Sequence, residues 1–173
     1  MNLEYADQER AIMRCEKLFE KYDINDEPVY FTDPECQMPY TGTVEEYLDG
    51  RICWEADVVD GVMEGIEKIY NHESGKLEAI YEKKHNLDNG LSIEYYETGK
   101  IKNIFTTIDN LLVDFYDYDE NGCVSSKGYM DENDIHYRIV KDKISELRDK
   151  YNLEKLNEEI LKFGKLISPF QAT

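Results

Sequence analysis

The fold of this chain is decided by a segment that repeats itself, GIEKIY at residues 65–70 with GKL at 75–77, and then GLSIEY at residues 90–95 with GKI at 99–101. In each copy, alternating apolar and polar residues run into a short polar turn that carries glycine, and a second alternating run follows. This pattern is typical of two antiparallel strands joined by a tight turn. The repeated unit is therefore predicted to be a β-hairpin.

Two further copies flank this segment. The upstream copy reads GTVEEY at residues 42–47 with GRI at 50–52, and the downstream copy, which is less regular, reads FYDY at 115–118 with GCV at 122–124. The turn glycines of the four copies are spaced by 25, 24 and 23 residues. A near-constant period indicates a repeat array. We predict an antiparallel β-meander of about four hairpins over residues 42–130.

Length and composition predict one domain of the α+β class over residues 1–173. The chain is 41% hydrophobic but has no run of the roughly 20 apolar residues that a membrane helix needs. Its first fifteen residues alternate charges and contain no apolar core of a signal peptide, so the sequence predicts a cytoplasmic protein. The four cysteines are far apart and have no ligand spacing, which indicates reduced thiols, no bound metal and no cofactor.

The charge is strongly negative and unevenly distributed. Thirty-eight acidic residues against twenty basic ones give a net charge of −18, most of it in residues 1–130, because residues 131–173 are almost neutral. A field of this sign repels nucleic-acid backbones and anionic membranes and attracts a cationic partner. The alternative is that the charge serves only solubility.

The N-terminal part is predicted to be a helix over residues 1–22 and a connector over residues 23–41. Ile12, Cys15, Phe19 and Tyr22 recur at helical spacing, which predicts one apolar stripe. The connector contains three prolines, and Val29–Thr32 within it reads as a short edge strand.

The C-terminal segment, residues 131–173, is predicted to form a helical pair. The first helix has Asn133 or Asp134 as its cap, and the second begins at Asn152 and stops at Pro169. Their apolar stripes are Ile135, Ile139, Val140, Ile144, Leu147 and Tyr151 in the first helix, and Leu153, Leu156, Ile160, Phe163 and Ile167 in the second. The pair either covers the open edge of the last hairpin or lies across the apolar face of the sheet.

Alternation along the strands separates a packed face from an acidic face. The predicted packed face takes Thr43, Glu45, Tyr47, Ile66, Lys68, Tyr70, Leu91, Ile93 and Tyr95 from the first strands, and Ile52, Trp54, Ala56, Val58, Leu77, Ala79, Tyr81, Ile101, Asn103 and Phe105 from the returning strands. The predicted acidic face mixes carboxylates with Val44, Ile69, Ile80, Ile104 and aromatic residues. A bulge would shift these assignments by one residue.

The acidic face has two interpretations. It is either an ordinary solvated face or a recognition surface that combines aromatic anchors with charge. Under the second interpretation the candidate binding residues are Glu46, Glu55, Asp57, Glu67, Glu78, Glu82, Glu94, Tyr96, Phe115 and Asp117.

Catalytic and metal sites have weaker patterns in this sequence. His72, His85 and His136 fall at turns, a link and a helix start, and no nucleophile triad or phosphate loop occurs, so the sequence predicts no catalytic residues and no enzyme. Clustered carboxylates leave a hydrolase or lyase as a minor alternative. The acidic turn 117–122 has part of a calcium-loop pattern but lacks its terminal glutamate, because Gly128 stands there.

The repeat pattern resembles a known family. The motif Gly-x-x-x-x-Tyr followed by Gly-Lys/Arg-Ile/Leu, together with the Asp60–Gly65 step, is similar to the MORN repeat in its bacterial variant, which occurs in YwqK-like antitoxin and immunity proteins. The resemblance covers residues 42–124. The fourth copy departs from it, because Leu112 or Val113 replaces the leading glycine and Cys123 replaces the basic residue.

The resemblance implies an immunity protein that binds and neutralises a cognate bacterial toxin, the C-terminal domain of a secreted polymorphic toxin. The acidic charge indicates a nuclease-like toxin whose cationic cleft would be occluded. MORN-type repeats also occur in scaffold proteins, so a protein-interaction module without toxin-neutralising activity is the alternative. Direct binding of nucleic acid or membrane is not expected under either interpretation.

Overall fold

The computed structural model describes residues 11–166 as one long sheet, a two-stranded hairpin and two helices. The strands of the sheet and hairpin are β1 (Ile12–Arg14), β2 (Phe19–Tyr22), β3 (Pro28–Phe31), β4 (Gly42–Leu48), β5 (Arg51–Val59), β6 (Val62–Tyr70), β7 (Leu77–Lys84), β8 (Leu87–Tyr95), β9 (Ile101–Ile108), β10 (Leu111–Tyr118) and β11 (Val124–Tyr129). The helices are α1 (Tyr137–Lys150) and α2 (Leu153–Phe163).

The nine-stranded sheet has the order β1-β4-β5-β6-β7-β8-β9-β10-β11, and β2 pairs with β3 separately. From β4 to β11 every neighbour is antiparallel, while β1 runs parallel to β4. Strands that are consecutive in sequence are therefore neighbours in space. The predicted α+β class, the antiparallel meander and the C-terminal helical pair are confirmed.

Two kinds of turn alternate along the meander. At one end of the strands the turns contain the four predicted glycines, 50, 75, 99 and 122, all with a left-handed backbone. At the other end lie two-residue turns, Asp60-Gly61, His85-Asn86 and Asp109-Asn110, in which both residues have positive φ. Such turns match the right-handed twist of paired strands. The sequence pattern of residues 42–130 thus fixes where the chain reverses.

The predicted N-terminal helix is wrong for the described residues 11–22. These residues form β1, a 3₁₀ turn at Cys15–Lys17 and β2 instead. Ile12 and Tyr22, two members of the predicted stripe, are 66% and 63% exposed, whereas Leu18 is buried. Strand pairing determines the structure here and overrides the helical spacing of the apolar residues, because β1 bonds to the edge of β4 and β2 bonds to β3. The rest of the predicted helix lies outside the described residues.

The connector contains the predicted strand, shifted by one residue to β3. Strands β2 and β3 form a hairpin that lies on the sheet, because the N–H of Tyr30 donates to the carbonyl of Gly61 over 2.8 Å and the N–H of Tyr40 donates to the carbonyl of Tyr30 over 2.9 Å. We call β2, β3 and the 3₁₀ turn the N-terminal cover.

The register defines the two faces of the sheet, since residues directly opposite each other share a face. One row across the strands consists of Val44, Ala56, Glu67, Tyr81, Ser92, Phe105, Phe115 and Gly128, and we call its side the Val44 face. A row on the other side consists of Glu45, Glu55, Lys68, Ile80, Ile93, Ile104, Tyr116 and Lys127, and we call this side the Ile104 face.

The two halves of the sheet bury opposite faces. The N-terminal cover packs on the Val44 face, where Leu18, Tyr30 and Tyr40 meet a core of Val44, Ala56, Val58 and Met63. Helices α1 and α2 lie across the Ile104 face, where Val140, Ile144, Leu147, Leu153 and Ile160 meet a core of Leu91, Ile93, Ile101, Ile104, Ile108, Val113, Tyr116 and Tyr118. Of the two predicted positions of the helical pair, the one across a face is correct.

The predicted assignment of residues to faces is wrong in part. It placed Glu45 and Lys68 on the same face as Ala56, and it placed Val44 and Ile104 on the other face. In the structure Val44 is paired directly with Ala56 and shares its face, and Ile104 belongs to the core beneath the helices. The cause is a set of register shifts next to the turns, for example between Glu46 and Tyr47. Each bulge moves the following side chains to the other face.

The helix boundaries are explained by local chemistry. The side chain of Asn152 caps α2 by accepting the N–H of Lys155 over 3.0 Å, as predicted. Helix α1 begins after His136 without a side-chain cap, so neither Asn133 nor Asp134 caps it; both belong to the turns before it. Helix α2 ends at Gly164, whose left-handed backbone stops the helix before the predicted Pro169, which lies outside the described residues.

Exposure corrects the predicted stripe of α1. Val140, Ile144 and Leu147 are buried, but Ile135 precedes the helix and Ile139 points to solvent. None of the helices within residues 11–166 has the length and apolar character needed to cross a membrane.

Candidate protein-binding face

The Val44 face is uncovered where the sheet continues beyond the N-terminal cover. We call this region, formed by β6 to β10, the open face. It carries Glu67, Tyr81, Lys83, Asp88, Ser92, Glu94, Asn103, Phe105, Thr107, Leu112, Phe115 and Asp117. The helices lie on the opposite side of the same strands, and of these side chains Glu67, Ser92 and Thr107 are buried while the others are at least partly exposed. The open face therefore combines aromatic and acidic groups in one accessible region.

The aromatic residues form a line across neighbouring strands. The rings of Tyr81 and Phe105 meet edge to face with centroids 6.3 Å apart, and Phe105 lies directly opposite Phe115. The ring of Phe115 leans over Gly128, where an added Cβ would come within 2.4 Å of its Cε1 atom. The glycine thus leaves room for the ring, and edge-to-face rings of this kind contribute about 1 kcal/mol beyond their burial.

One lysine joins two carboxylates on the side of the open face that is next to the N-terminal cover. The Lys83 ammonium lies 3.1 Å from Glu67 Oε2 and 2.8 Å from Asp88 Oδ1. Glu67 also accepts the indole N–H of Trp54 over 2.7 Å. Burial by itself lowers the pKa of Lys83, but the attraction of Glu67 and Asp88 outweighs it and raises the pKa. Lys83 is therefore charged and already neutralised.

Glu94 is held by three donors. Tyr81 Oη, Asn103 Nδ2 and Lys102 Nζ each donate to its carboxylate over 3.1 Å. Burial raises the pKa of Glu94, but hydrogen bonds from Lys102, Tyr81 and Asn103 outweigh this effect, so the pKa lies below its ordinary value. Glu94 is fixed in position as a carboxylate.

A cavity of about 430 Å³ opens between β8, β9 and β10 on the open face. We call it the Phe105 pocket; it is lined by Asp88, Asn103, Phe105, Thr107, Asn110, Leu112, Phe115 and Asp117. A second cavity, of about 510 Å³, lies at the border with the N-terminal cover beside Trp54 and Tyr30, with Glu20, Glu27, Glu46 and Glu67 in its wall. Both cavities are rich in carboxylates and aromatic rings.

The predicted binding residues do not form one surface. Glu67, Glu94, Phe115 and Asp117 lie on the open face, and Glu46 lies on the same side of the sheet opposite Trp54. Glu46 is on β4, outside the open face, so four of the ten predicted residues share the open face. The remaining five lie elsewhere or are engaged in structural contacts.

Three of the remaining carboxylates stabilise the sheet. Glu55 is on the Ile104 face and pairs with Lys68 over 2.5 Å. Asp57 accepts the N–H of Ile66 over 3.2 Å, which satisfies the backbone of a bulge. Glu82 holds α1 against the sheet, because it accepts the Lys150 ammonium over 2.8 Å and also accepts the hydroxyl of Tyr151.

Glu78 and Tyr96 lie near the turns. Glu78 accepts the side-chain amide of Asn71 over 2.8 Å, and the Tyr96 hydroxyl donates to the carbonyl of Tyr118 over 2.7 Å. Glu55, Glu78 and Glu94, three of the predicted binding residues, therefore do not lie together on one contact surface.

Sequence reasoning missed Tyr81, Lys83, Asp88, Asn103 and Phe105 as site residues. Tyr81, Asn103 and Phe105 were expected on the packed face. The pairing of Lys83 with Asp88 could have been predicted from the two-residue turn His85-Asn86. Counting outward from that turn pairs Lys84 with Leu87 and then Lys83 with Asp88. Turn geometry fixes register more firmly than hydrophobic alternation does.

The acidic turn 117–122 is ordered by its own backbone. Asp119 Oδ1 accepts the N–H groups of Asn121 over 2.9 Å and Cys123 over 2.8 Å. These hydrogen bonds lower the pKa of Asp119, and the bond from the N–H of Cys123 has the largest effect. Residues 11–166 contain no group of three or more His, Cys, Asp or Glu side chains arranged to hold a metal ion.

Comparisons with known proteins do not assign a family. No family model matches the chain, and no curated protein matches it. Among solved structures, a crystal structure of a S. aureus TarM mutant is similar to this chain with a TM-score of 0.33 and 8% sequence identity, over 67% of this chain and 20% of that chain.

Proposed function

We propose that the open face binds a cationic protein and that this chain is an immunity protein that neutralises a cognate bacterial toxin by occluding it. The observation that carries the proposal is an uncovered sheet face that combines aromatic rings with fixed carboxylates, in a chain with a net charge of −18. Aromatic residues and complementary charge are characteristic of interface hot spots.

The dimensions of the open face support this proposal. From β6 to β10 there are four strand spacings, about 19 Å, and the strands of eight or nine residues are about 27 to 30 Å long, so the open face is of the same order of size as a patch of about 800 Å² per partner. The rigid hairpins require little ordering on binding, so less of the interaction energy is lost in fixing side chains. The negative field would speed association with a cationic toxin.

The repeat pattern supports the finer assignment. Under the proposal the four hairpins are MORN-variant repeats of the YwqK-like type, and the toxin is the C-terminal domain of a secreted polymorphic toxin, nuclease-like with a cationic cleft. In this mechanism no residue of the chain performs chemistry, and no cofactor is required. The acidic face occupies the cleft in place of nucleic-acid phosphates.

A growth-rescue experiment with charge reversal tests the proposal. Cells expressing a cationic nuclease toxin domain encoded beside this chain would be rescued by the wild-type protein, and rescue should be lost with Glu94→Lys plus Asp117→Lys on the open face. The matched control is Glu73→Lys plus Asp142→Lys, two exposed residues away from the open face, which changes the net charge equally. Equal rescue by both double variants would refute binding through the open face.

The alternative is a scaffold that joins cellular proteins through the same face. It predicts several constitutive partners and no rescue of a poisoned cell by the wild-type protein. For the immunity function, the affinity for the isolated toxin domain should also fall steeply between low and high salt, because the attraction is between opposite charges. An affinity independent of salt would contradict occlusion by charge.

A further inference from the structure

We propose that the Phe105 pocket binds the guanidinium group of an arginine side chain. The inference rests on the proposed function, since that arginine would belong to the cationic partner, but it identifies a specific pocket and a specific chemical group. It depends on three features of the pocket, namely hydrogen-bonding groups without partners, the surplus of negative charge and the two phenylalanine rings.

The pocket has buried oxygens that lack partners. Thr107 is only 4% exposed and lines the pocket, yet its Oγ1 makes no hydrogen bond within residues 11–166. The same is true of Asn103 Oδ1, which also lines the pocket. Buried polar atoms are rarely left unsatisfied in folded proteins. A polar group that enters the pocket beside Asn103 would satisfy its Oδ1.

The orientation of Asn103 shows which kind of polar group is needed. Its Nδ2 donates to Glu94 Oε2, and a carboxylate accepts only from the NH₂ side of the amide. The oxygen Oδ1 is therefore the unpaired atom, and it can only accept a hydrogen bond. The ligand must be a donor at this position.

The charge of the pocket favours a cation. The side-chain carboxylate of Asp117 makes no hydrogen bond or ion pair with any residue between 11 and 166, and Asp117 lies directly opposite Asn103. Lys83 is shared by Glu67 and Asp88, so these three groups together carry one negative charge. Glu94 and Lys102 neutralise each other. The region thus keeps a surplus of two negative charges, and no free cation offsets them among its neighbours on these strands.

The aromatic rings distinguish a guanidinium from an ammonium. Phe105 and Phe115 lie on opposed positions of β9 and β10 with the pocket beside them. A planar guanidinium stacks on aromatic rings and donates up to five hydrogen bonds in a fork that fits a carboxylate. Asp117 and Asn103 Oδ1, which lie on directly opposed residues, supply acceptors for this fork, whereas a lysine ammonium offers three donors and no flat surface.

The inference is tested with small probes on the full chain. N-acetyl-arginine amide should shift the NMR signals of the Asn103 side-chain amide and of the Phe105 and Phe115 rings in a saturable way. The neutral isostere N-acetyl-citrulline amide should bind at least tenfold more weakly, because it lacks the charge. Equal shifts with both probes, or no shift with either, would overturn the inference, and the latter would mean that water alone fills the pocket.

Two variants locate the probe. Asp117→Asn should weaken binding of the arginine probe about tenfold, while Asp142→Asn, the same substitution on the exposed surface of α1, should leave it unchanged. If Asp117→Asn and Asp142→Asn bind the probe alike, the inference is wrong.

The outcome can be separated from that of the proposed function. If the probe fails to bind while Glu94→Lys plus Asp117→Lys still abolishes rescue, the arginine pocket is wrong and the acidic interface stands. If the probe binds as expected but the toxin domain is not neutralised, the pocket stands and the immunity function is wrong.

Discussion

The N-terminal and C-terminal halves of this sheet are both built from consecutive antiparallel strands but bury opposite faces. The apolar core of β4 to β6 includes Val44, Ala56 and Val58, and that of β8 to β10 includes Ile93, Ile104 and Tyr116 on the other side. The difference follows from what flanks each half, because the cover reaches only the first strands and the helices reach only the last. A repeated strand pattern therefore does not determine which face is packed.

This comparison also explains the position of the candidate site. The Val44 face is packed against the N-terminal cover in the first half of the sheet, and the cover ends near β6. Beyond β6 the same face is free, because the helices pack on the Ile104 face. Those residues are neither the purely apolar set of a core nor the purely charged set of a solvated face. The open face therefore exists because the two halves of the sheet pack on opposite faces.

The largest expected effect tests the C-terminal core. Ile104→Ala should lower the free energy of unfolding by about 4 kcal/mol, because Ile104 is fully buried beneath the helices and truncation leaves a cavity. Urea unfolding followed by circular dichroism measures the change. Ile139→Ala on the exposed side of α1 is the control and should change stability by less than about 0.5 kcal/mol. A loss below 1 kcal/mol for Ile104→Ala would mean that the helices do not pack on this face.

The next effect concerns the ion pair that joins α1 to β10. Arg148 donates to both oxygens of Asp114, over 2.8 and 2.6 Å, and to the carbonyl of Met130, and Asp114 is only 5% exposed. Arg148→Met should destabilise the protein by about 3 kcal/mol, since it leaves a buried carboxylate unpaired. The matched change Lys143→Met removes an exposed ion pair of the same helix with Asp109 and should cost less than about 1 kcal/mol. Equal losses in denaturant unfolding would contradict the assigned role of Asp114.

A smaller effect compares two equivalent turns. Asn86 and Asn110 are left-handed residues whose Oδ1 accepts an N–H from the preceding hairpin, that of Met63 or of Asp88, each over 2.6 Å. Only Asn86 also donates to the N-terminal cover, at Asp23 and at the carbonyl of Pro28.

Replacing each asparagine by glycine keeps the backbone conformation and removes only the side-chain bonds. Asn86→Gly should therefore cost about 2 kcal/mol and Asn110→Gly about 1 kcal/mol in the free energy of unfolding. Thermal unfolding of the two variants measures the difference. A reversed order would show that the cover is not held through Asn86.

The smallest effect concerns the open face itself. The pKa of Glu94 is lower in the folded state than its ordinary value of 4.5, because the hydrogen bonds from Lys102, Tyr81 and Asn103 outweigh burial. Its contribution to stability is therefore present above pH 4.5 and is lost as the pH falls through the lower folded pKa.

Glu94→Gln should cost less than about 1 kcal/mol at pH 7, since the carboxylate is partly exposed. The difference from the wild type should shrink below pH 4.5, as measured by urea unfolding at several pH values. Glu158→Gln on exposed α2 controls for the loss of one charge. A difference between Glu94→Gln and the wild type that grows on acidification would contradict the assigned hydrogen bonds.

Much of the fold could be predicted from local features. The glycine turns at 50, 75, 99 and 122 and the cap at Asn152 were found because turn and cap chemistry depends on a few adjacent residues. Strand β1 was missed because its hydrogen bonds go to β4, far along the chain, and β2 was missed although its partner β3 is close in sequence, because the apolar residues 12–22 recur at helical spacing. Half of the predicted binding residues were misplaced because bulges next to the turns shift the register in a way that alternation does not reveal.

The sequence by itself determined that residues 42–130 form consecutive hairpins, that two helices follow and that the protein carries a large negative charge. These properties follow from local backbone preferences and from composition. Only the tertiary structure decided which face each half buries and therefore which carboxylates remain accessible. Those choices depend on contacts between distant residues, such as the bond from Asn86 to Asp23, and local sequence preference does not encode them.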